Sequence, residues 1–230
     1  MTEHQGAGKP LVVYGNGSVA EVAYEYFTHD SDYEVLGFTV ERSVREEESK
    51  FGLPMIPFEE VEATFSPESA SMFVAVGYLQ RNRIRSRICE AAKAKGYRLA
   101  SYVSSRAFVW RNVQIGENCF ILENNVLQPF LTIGNNVMLW SGNHLGHHSR
   151  IGDNCFVSSH VVISGFVDVG PNCVFGVNST IGNDLRIGAD SVIGAGAVVL
   201  KDLPPGSRVR ALLPEEPKPA ATDPVKPVIQ

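Results

Sequence analysis

From Ile115 to Val199 an aliphatic residue or Phe stands at every sixth position, and nine of these fifteen are followed directly by Gly. A helix would repeat near 3.6 and a half-buried strand at 2; neither gives six. A fixed six-residue repeat marks a parallel β-helix, in which each hexad supplies one short strand and a turn. The leading apolar residue points into a narrow interior, and the backbone turns after it, where Gly fits most easily. With three faces per coil, residues eighteen apart stack about 4.8 Å from one another, as neighbouring strands do. This arithmetic puts Cys119, Cys155 and Cys173 in one inward column with Val137, as small buried hydrophobes rather than redox groups. No insertion breaks the register between Ile115 and Val199, so roughly five uninterrupted coils follow, and the solenoid is expected to begin a hexad or two earlier, near Val103 or Val109. The Pro-rich stretch from Pro204 predicts an extended or disordered tail.

Upstream the pattern changes. An apolar run, Leu11 to Tyr14, leads into Gly15-Asn16-Gly17-Ser18-Val19-Ala20, and helical spacing follows at Val19, Val22, Ala23, Tyr26 and Phe27. Strand, G-x-G-x-x-A, then helix is the setting in which a glycine turn offers backbone N–H groups to a phosphate. A second strand is predicted over 35–40 and a third over 72–76, the latter ending in Gly77-Tyr78. A basic helix start, Arg81-Asn82-Arg83, follows, with Ile84 and Ile88 inward. This is a Rossmann-like half, shorter than a full dinucleotide fold, and its acidic residue after the second strand is Glu41. The predicted organisation is a lead-in over 1–10, an α/β Rossmann-like domain over 11–102, an all-β left-handed parallel β-helix over 103–203, and a tail over 204–230.

Composition narrows the classes. The 230 residues are 44% hydrophobic and 20% charged, with a formal net charge of −5. Mild acidity without clustered Lys and Arg gives no footprint for nucleic acid. No apolar run reaches the length of a membrane span, and the polar segment from Met1 to Pro10 lacks the hydrophobic core of a signal peptide. A cytoplasmic protein with reduced cysteines is expected, and the four Cys show no C-x-x-C metal spacing.

Four of six histidines, His144, His147, His148 and His160, fall in one part of the solenoid, and His160 lies one coil above Gly142. Three readings fit: a general base with polar helpers, a zinc site built from several coils, or hydrogen-bonded turn residues.

A Rossmann-like first domain joined to a hexapeptide β-helix resembles the bacterial sugar acyltransferases grouped with sialic acid O-acetyltransferases. That group includes N-acetyltransferases of nucleotide-linked amino sugars. The resemblance covers about residues 11–203 and is carried by Val13-Tyr14-Gly15-Asn16-Gly17-Ser18, Ala75-Val76-Gly77, and the run from Leu145 through Gly146-His147-His148 to Gly152-Asp153. It implies a homotrimer with active sites between neighbouring β-helices, acetyl-CoA as co-substrate, no required metal, and a nucleotide-sugar held by the first domain. His147 would be the general base, with His144 and His148 shaping the site. Gly15, Asn16, Gly17 and Ser18 would cradle the diphosphate, with Glu41, Tyr78, Arg81 and Asn143 also facing the substrate. The oxyanion donor falls near Gly165, and CoA runs along Val177 and Ala195. The chain departs from the family at three places. His148 replaces the usual Asp or Glu after the base, Trp140 replaces an Asn, and the closing Gly-x-Pro-Ala-Lys is missing. Asn143, His144 or a neighbouring subunit is left to orient the base. The expected reaction is acetyl transfer to the amino group of a nucleotide-linked deoxysugar, in surface polysaccharide or glycan biosynthesis. Sugar O-acetylation and a non-catalytic scaffold trimer are the alternatives.

Overall fold

The computed structural model describes residues 8–78 and 80–211. Most of the expected lead-in and the Pro-rich segment from 212 lie outside these residues. The first domain runs β1 (Lys9–Tyr14), α1 (Ser18–His29), β2 (Tyr33–Val40), β3 (Ser49–Lys50), β4 (Leu53–Pro57), α2 (Val61–Thr64), β5 (Ser71–Val74) and α3 (Arg83–Ala94). Strand β1 takes in Lys9 and Pro10, which the sequence reading had assigned to the lead-in. The sheet order is β3-β4-β2-β1-β5, parallel except for the β3–β4 hairpin. Leu11, Val12 and Val13 are wholly buried, as a central parallel strand covered on both faces should be. Ala20, Ala23 and Phe27 of α1 cover one face, and Ile88, Cys89 and Ala92 of α3 cover the other. Because β2 and β5 flank β1 on opposite sides, the carboxyl end of β1 is a topological switch point, where open α/β sheets bind ligands.

The second domain is the left-handed parallel β-helix: eighteen two-residue strands from Tyr102–Val103 to Arg208–Val209. Up to Thr180–Ile181 each pairs in parallel with the strand eighteen residues on, as Val126 with His144 and His144 with Val162, and in the last coil the spacing shortens to sixteen. The result is three sheets of six, five and seven strands, roughly six coils in all, beginning at Tyr102–Val103 as expected. Arg208–Val209 pairs with Val192–Ile193, so the solenoid continues past Pro204 and Pro205 into the expected tail. Inward residues form one unbroken core, in which Cys119, Val137, Cys155 and Cys173 are fully buried.

The outward residues distinguish the three faces. On the first face, the seven-stranded sheet, Tyr102, Phe120, Met138 and Phe156 are buried against the first domain. Phe120 stands 5.2 Å from Phe73, and Tyr102 stands 5.4 Å from Phe27, ring centre to ring centre. On the five-stranded third face the outward row is polar: Gln114, Thr132, Arg150, Asp168 and Arg186. The six-stranded second face carries Phe108, Val126, His144, Val162, Thr180 and Val198, with Phe108 52% and Val198 60% exposed.

The edges are turns with positive φ, where Asn and Asp are at home. Asn118, Asn136, Asn154, Asn172 and Asp190 line the first edge. Asn118 Nδ2 donates to Asn136 Oδ1 (2.9 Å), and Asn136 Nδ2 to Asn154 Oδ1 (2.7 Å). This ladder docks the first domain. Val74 N–H donates to Asn118 Oδ1 (2.8 Å), and the buried Arg85 donates through Nη2 to Asn136 O (2.7 Å). Burial draws the Arg85 guanidinium down to about 10, which leaves it charged at neutral pH.

Burial, the largest cause in each case, pushes the phenols of Tyr14, Tyr26 and Tyr97 up to about 12, the Cys89 thiol up to about 12 and the Cys119 thiol up to about 11. In the unfolded chain these groups ionise at their ordinary values near 9–10, while the folded chain keeps its protons longer. Their stability contribution is therefore whole below pH 9 and is lost as pH rises towards 12. Thermal unfolding midpoints measured between pH 8 and 11.5 should fall steadily above about pH 9; a flat profile would contradict this burial.

Candidate functional site

Two regions carry chemistry. The first is the crevice at the carboxyl ends of β1, β2 and β5. Gly15 sits at φ +138°, and a Cβ there would lie 2.7 Å from Ala75 O, so no other residue fits. Its N–H donates to Thr39 O (2.9 Å), which holds the turn against β2. Gly17 is the N-cap of α1; no side chain caps the helix there, and the space a Gly17 Cβ would occupy is open. The twelve-residue α1 thus presents its positive end, with Ser18 as its first residue, to an open crevice. Asn16 Nδ2 donates to Val44 O (3.3 Å), and Glu41, just after β2, pairs with Arg87 of α3 at 2.8 Å. Tyr78, half exposed after β5, sets its ring 4.5 Å from Phe156 of the solenoid. Arg81 is drawn to the first edge, where Nη1 donates to Asp190 O (3.3 Å). Gly15, Asn16, Gly17, Ser18, Glu41 and Tyr78 all lie at the strand ends, while Arg81 is spoken for by the solenoid.

The second region is the third edge, formed by the turns at Phe130, His148, Phe166 and Asp184. His147 N–H donates to Gln128 Oε1 (3.0 Å), which fixes the turn. The His147 ring lies against Gly165 one coil on, where a Cβ would stand 2.9 Å from Cε1 and 3.0 Å from Nε2. Glycine at 165 is therefore the condition for the imidazole's position. Nδ1 of His147, 3.3 Å from the same Cβ position, is 3.1 Å from Nδ1 of His148. The His148 ring is stacked between Phe130 (4.6 Å) and Phe166 (4.9 Å). His160 repeats the arrangement at the second edge, where a Cβ on Gly142 would lie 2.6 Å from its Nδ1.

Several expectations are corrected. Asn143 is 1% exposed. Its Oδ1 accepts from Val161 N–H (2.7 Å) and its Nδ2 donates to Trp140 O. The side chain braces the coil interior and faces no substrate. Near Gly165, where the resemblance puts the oxyanion donor, the Gly165 N–H donates to Asn183 Oδ1 (3.0 Å). His144 stands in the outward row of the second face rather than at the edge with His147 and His148. Val177, 47% exposed, and Ala195, also exposed, lie on the second edge. One chain therefore gathers His147, His148 and Gly165 but leaves Val177 and Ala195 on another edge. Sequence reading missed Phe130 and Phe166. Their eighteen-residue spacing from His148, at turn positions held elsewhere by Asn, Asp, His or Gly, was the available signal.

Among the described residues no three His, Cys, Asp or Glu side chains form a group able to hold a metal ion, and no helix is long and apolar enough to cross a membrane.

Comparisons with known proteins address both domains. Residues 10–92 match the PglD N-terminal domain family, and residues 130–165 and 166–201 match the bacterial transferase hexapeptide repeat. No curated protein sequence matches. Among solved structures, PerB from Caulobacter crescentus, in complex with CoA and GDP-perosamine, is 25% identical over 86% of this chain and 92% of its own, with a TM-score of 0.77. The acetyltransferase domain of PglB from Neisseria gonorrhoeae, in complex with acetyl coenzyme A, is 25% identical over 87% and 95%, with a TM-score of 0.78. WeeI from Acinetobacter baumannii, at 18% identity and a TM-score of 0.66, shares the fold. The chain thus carries a PglD N-terminal domain and bacterial transferase hexapeptide repeats in that order, and over both domains it is similar to the CoA-binding sugar acyltransferases PerB and PglB.

Proposed function

We propose that this protein transfers an acetyl group from acetyl-CoA to the amino group of a nucleotide-linked amino-deoxysugar, as a cytoplasmic homotrimer serving surface-glycan biosynthesis. The observation that carries the reading is the His147 imidazole, placed on an open edge with its Cε1–Nε2 side over Gly165. The amine nitrogen attacks the thioester carbonyl, a C–N bond forms, and the C–S bond breaks. His147 takes the proton lost by the amine and returns it to the departing thiolate. The uncapped start of α1 and the Gly15–Ser18 turn suit a diphosphate, Glu41 suits a ribose hydroxyl, and the exposed Tyr78 ring suits the acceptor beyond. PerB, crystallised with CoA and GDP-perosamine, and the PglB domain, crystallised with acetyl coenzyme A, support both ligand classes. Amino rather than hydroxyl transfer is favoured because a nucleotide crevice serves an activated amino sugar, whereas a free sugar needs none.

The second face supports the trimer. Its exposed apolar row (Phe108, Val162 and Val198) needs cover. Closing three copies around an axis with this face inward sets the second edge of one copy beside the third edge of the next. Val177 and Ala195 of one chain then meet His147 and Gly165 of another, which completes a CoA groove that a single chain lacks.

His147→Ala should lower kcat by about 10²- to 10⁴-fold with little change in KM for acetyl-CoA, read by free-thiol release on a panel of nucleotide-linked amino sugars. Full turnover in the variant would remove His147 from the role, and silence of the wild-type protein across the panel would remove the activity. Separately, Val162→Glu with Val198→Glu should yield a folded monomer by light scattering, without turnover. A monomer as active as the wild type would contradict the shared site.

A further inference from the structure

His147 and His148 face each other through like atoms, Nδ1 to Nδ1 at 3.1 Å. A neutral imidazole carries one N–H and one bare nitrogen, so this contact is a hydrogen bond only if one ring donates and the other accepts. The surroundings select the direction. The His147 ring lies over Gly165 with Cε1, Nε2 and Nδ1 all close to it, and a base working through the remaining nitrogen needs Nε2 bare. Its hydrogen must then sit on Nδ1, pointed at His148. The His148 ring cannot turn away. It is stacked between Phe130 and Phe166 at interplanar angles of 27° and 14°, and its plane stands 87° to that of His147. His148 also lines a cleft of about 470 Å³ that holds Asp168, Asp184 and Asp202 together with Arg186. With the hydrogen of His148 on its other nitrogen, its Nδ1 is the acceptor.

We propose that His148 is the positioning residue for the base: a neutral imidazole clamped by Phe130 and Phe166, which accepts the Nδ1 hydrogen of His147 and holds His147 Nε2 bare over Gly165. This rests on the acyl-transfer reading of His147. When His147 takes the proton from the amine, the same bond receives the Nδ1–H of the imidazolium, so neither ring has to reorient during turnover.

Two substitutions in the full-length protein separate this role from packing. His148→Phe keeps an aromatic ring in the stack and removes the acceptor, whereas His148→Asn loses the stack but keeps an acceptor and tolerates the left-handed backbone. His148→Phe should lower kcat on the order of 10- to 100-fold, short of the loss expected without the base, with both KM values nearly unchanged. His148→Asn should recover most of that loss. Nitrogen NMR of histidine-labelled wild-type protein should show His147 protonated at Nδ1 and bare at Nε2, with the two tautomers mixed in His148→Phe. Wild-type kcat in His148→Phe, or a hydrogen on His147 Nε2 in the wild type, would overturn the proposal. Failure of the acyl-transfer reading would instead appear as wild-type protein silent on every amino sugar, and the ring spectra would still decide the pairing by themselves.

Discussion

The backbone hydrogen bonds between successive coils, such as Phe120 N–H to Val137 O at 2.9 Å and Phe156 N–H to Cys173 O at 2.9 Å, lock each residue to the position eighteen places on. A slip of one residue would turn every side chain to the opposite face. Ile121, Leu139 and Val157 would leave the core, and Phe120, Met138 and Phe156 would enter it. The register thereby sets three things together: a filled interior, an apolar first face for the α/β domain, and columns of turn residues at the edges. Each wholly buried aliphatic side chain contributes roughly 1.5–3 kcal/mol through burial, so the lock is strong although each strand has two residues.

Docking of the α/β domain uses the same lock. Asn118, Asn136 and Asn154 suit their turns because Asn tolerates positive φ. Stacked one coil apart, they also form an amide ladder whose end is the cross-link to Val74 at the carboxyl end of β5. Arg85 crosses the same junction and satisfies Asn136 O from α3. The crevice at β1 and the solenoid edges are therefore held in fixed relation by buried polar contacts, which cost more to break than a surface pair. A substrate spanning both needs that fixed relation.

How much of this was legible follows from which interactions are local in the repeat. The hexad residues from Ile115 to Val199 announce the core because burial demands an apolar residue at every sixth place, and Gly15 announces its turn because nothing else fits beside Ala75 O. The outward rows were equally visible at eighteen-residue spacing, yet no single residue of a row says what covers it. Phe120 and Phe108 read alike, although one is buried by α1 and β5 and the other lies half exposed. Asn143 came to the substrate list by resemblance, whereas its amide satisfies the coil's own backbone. Val177 and Ala195 came from resemblance alone, and placing them with His147 needs an edge that one chain does not supply.

The third edge departs from the economy of the rest. Turns elsewhere on the solenoid place Asn, Asp, His or Gly at positive φ, but here two Phe flank a His, and Phe130, His148 and Phe166 hold φ of 64°, 58° and 59° in one column, a conformation that costs bulky residues roughly 1–2 kcal/mol each. Offset ring stacking returns about 0.5–1.5 kcal/mol per pair, so the column is near neutral at best. A turn of Asn residues would fold at least as well. What the column adds is an imidazole that cannot rotate, set beside a second imidazole whose far side is kept clear by Gly165. A strained column that gains nothing in stability is intelligible where chemistry needs a fixed acceptor, and on this solenoid that place is beside His147.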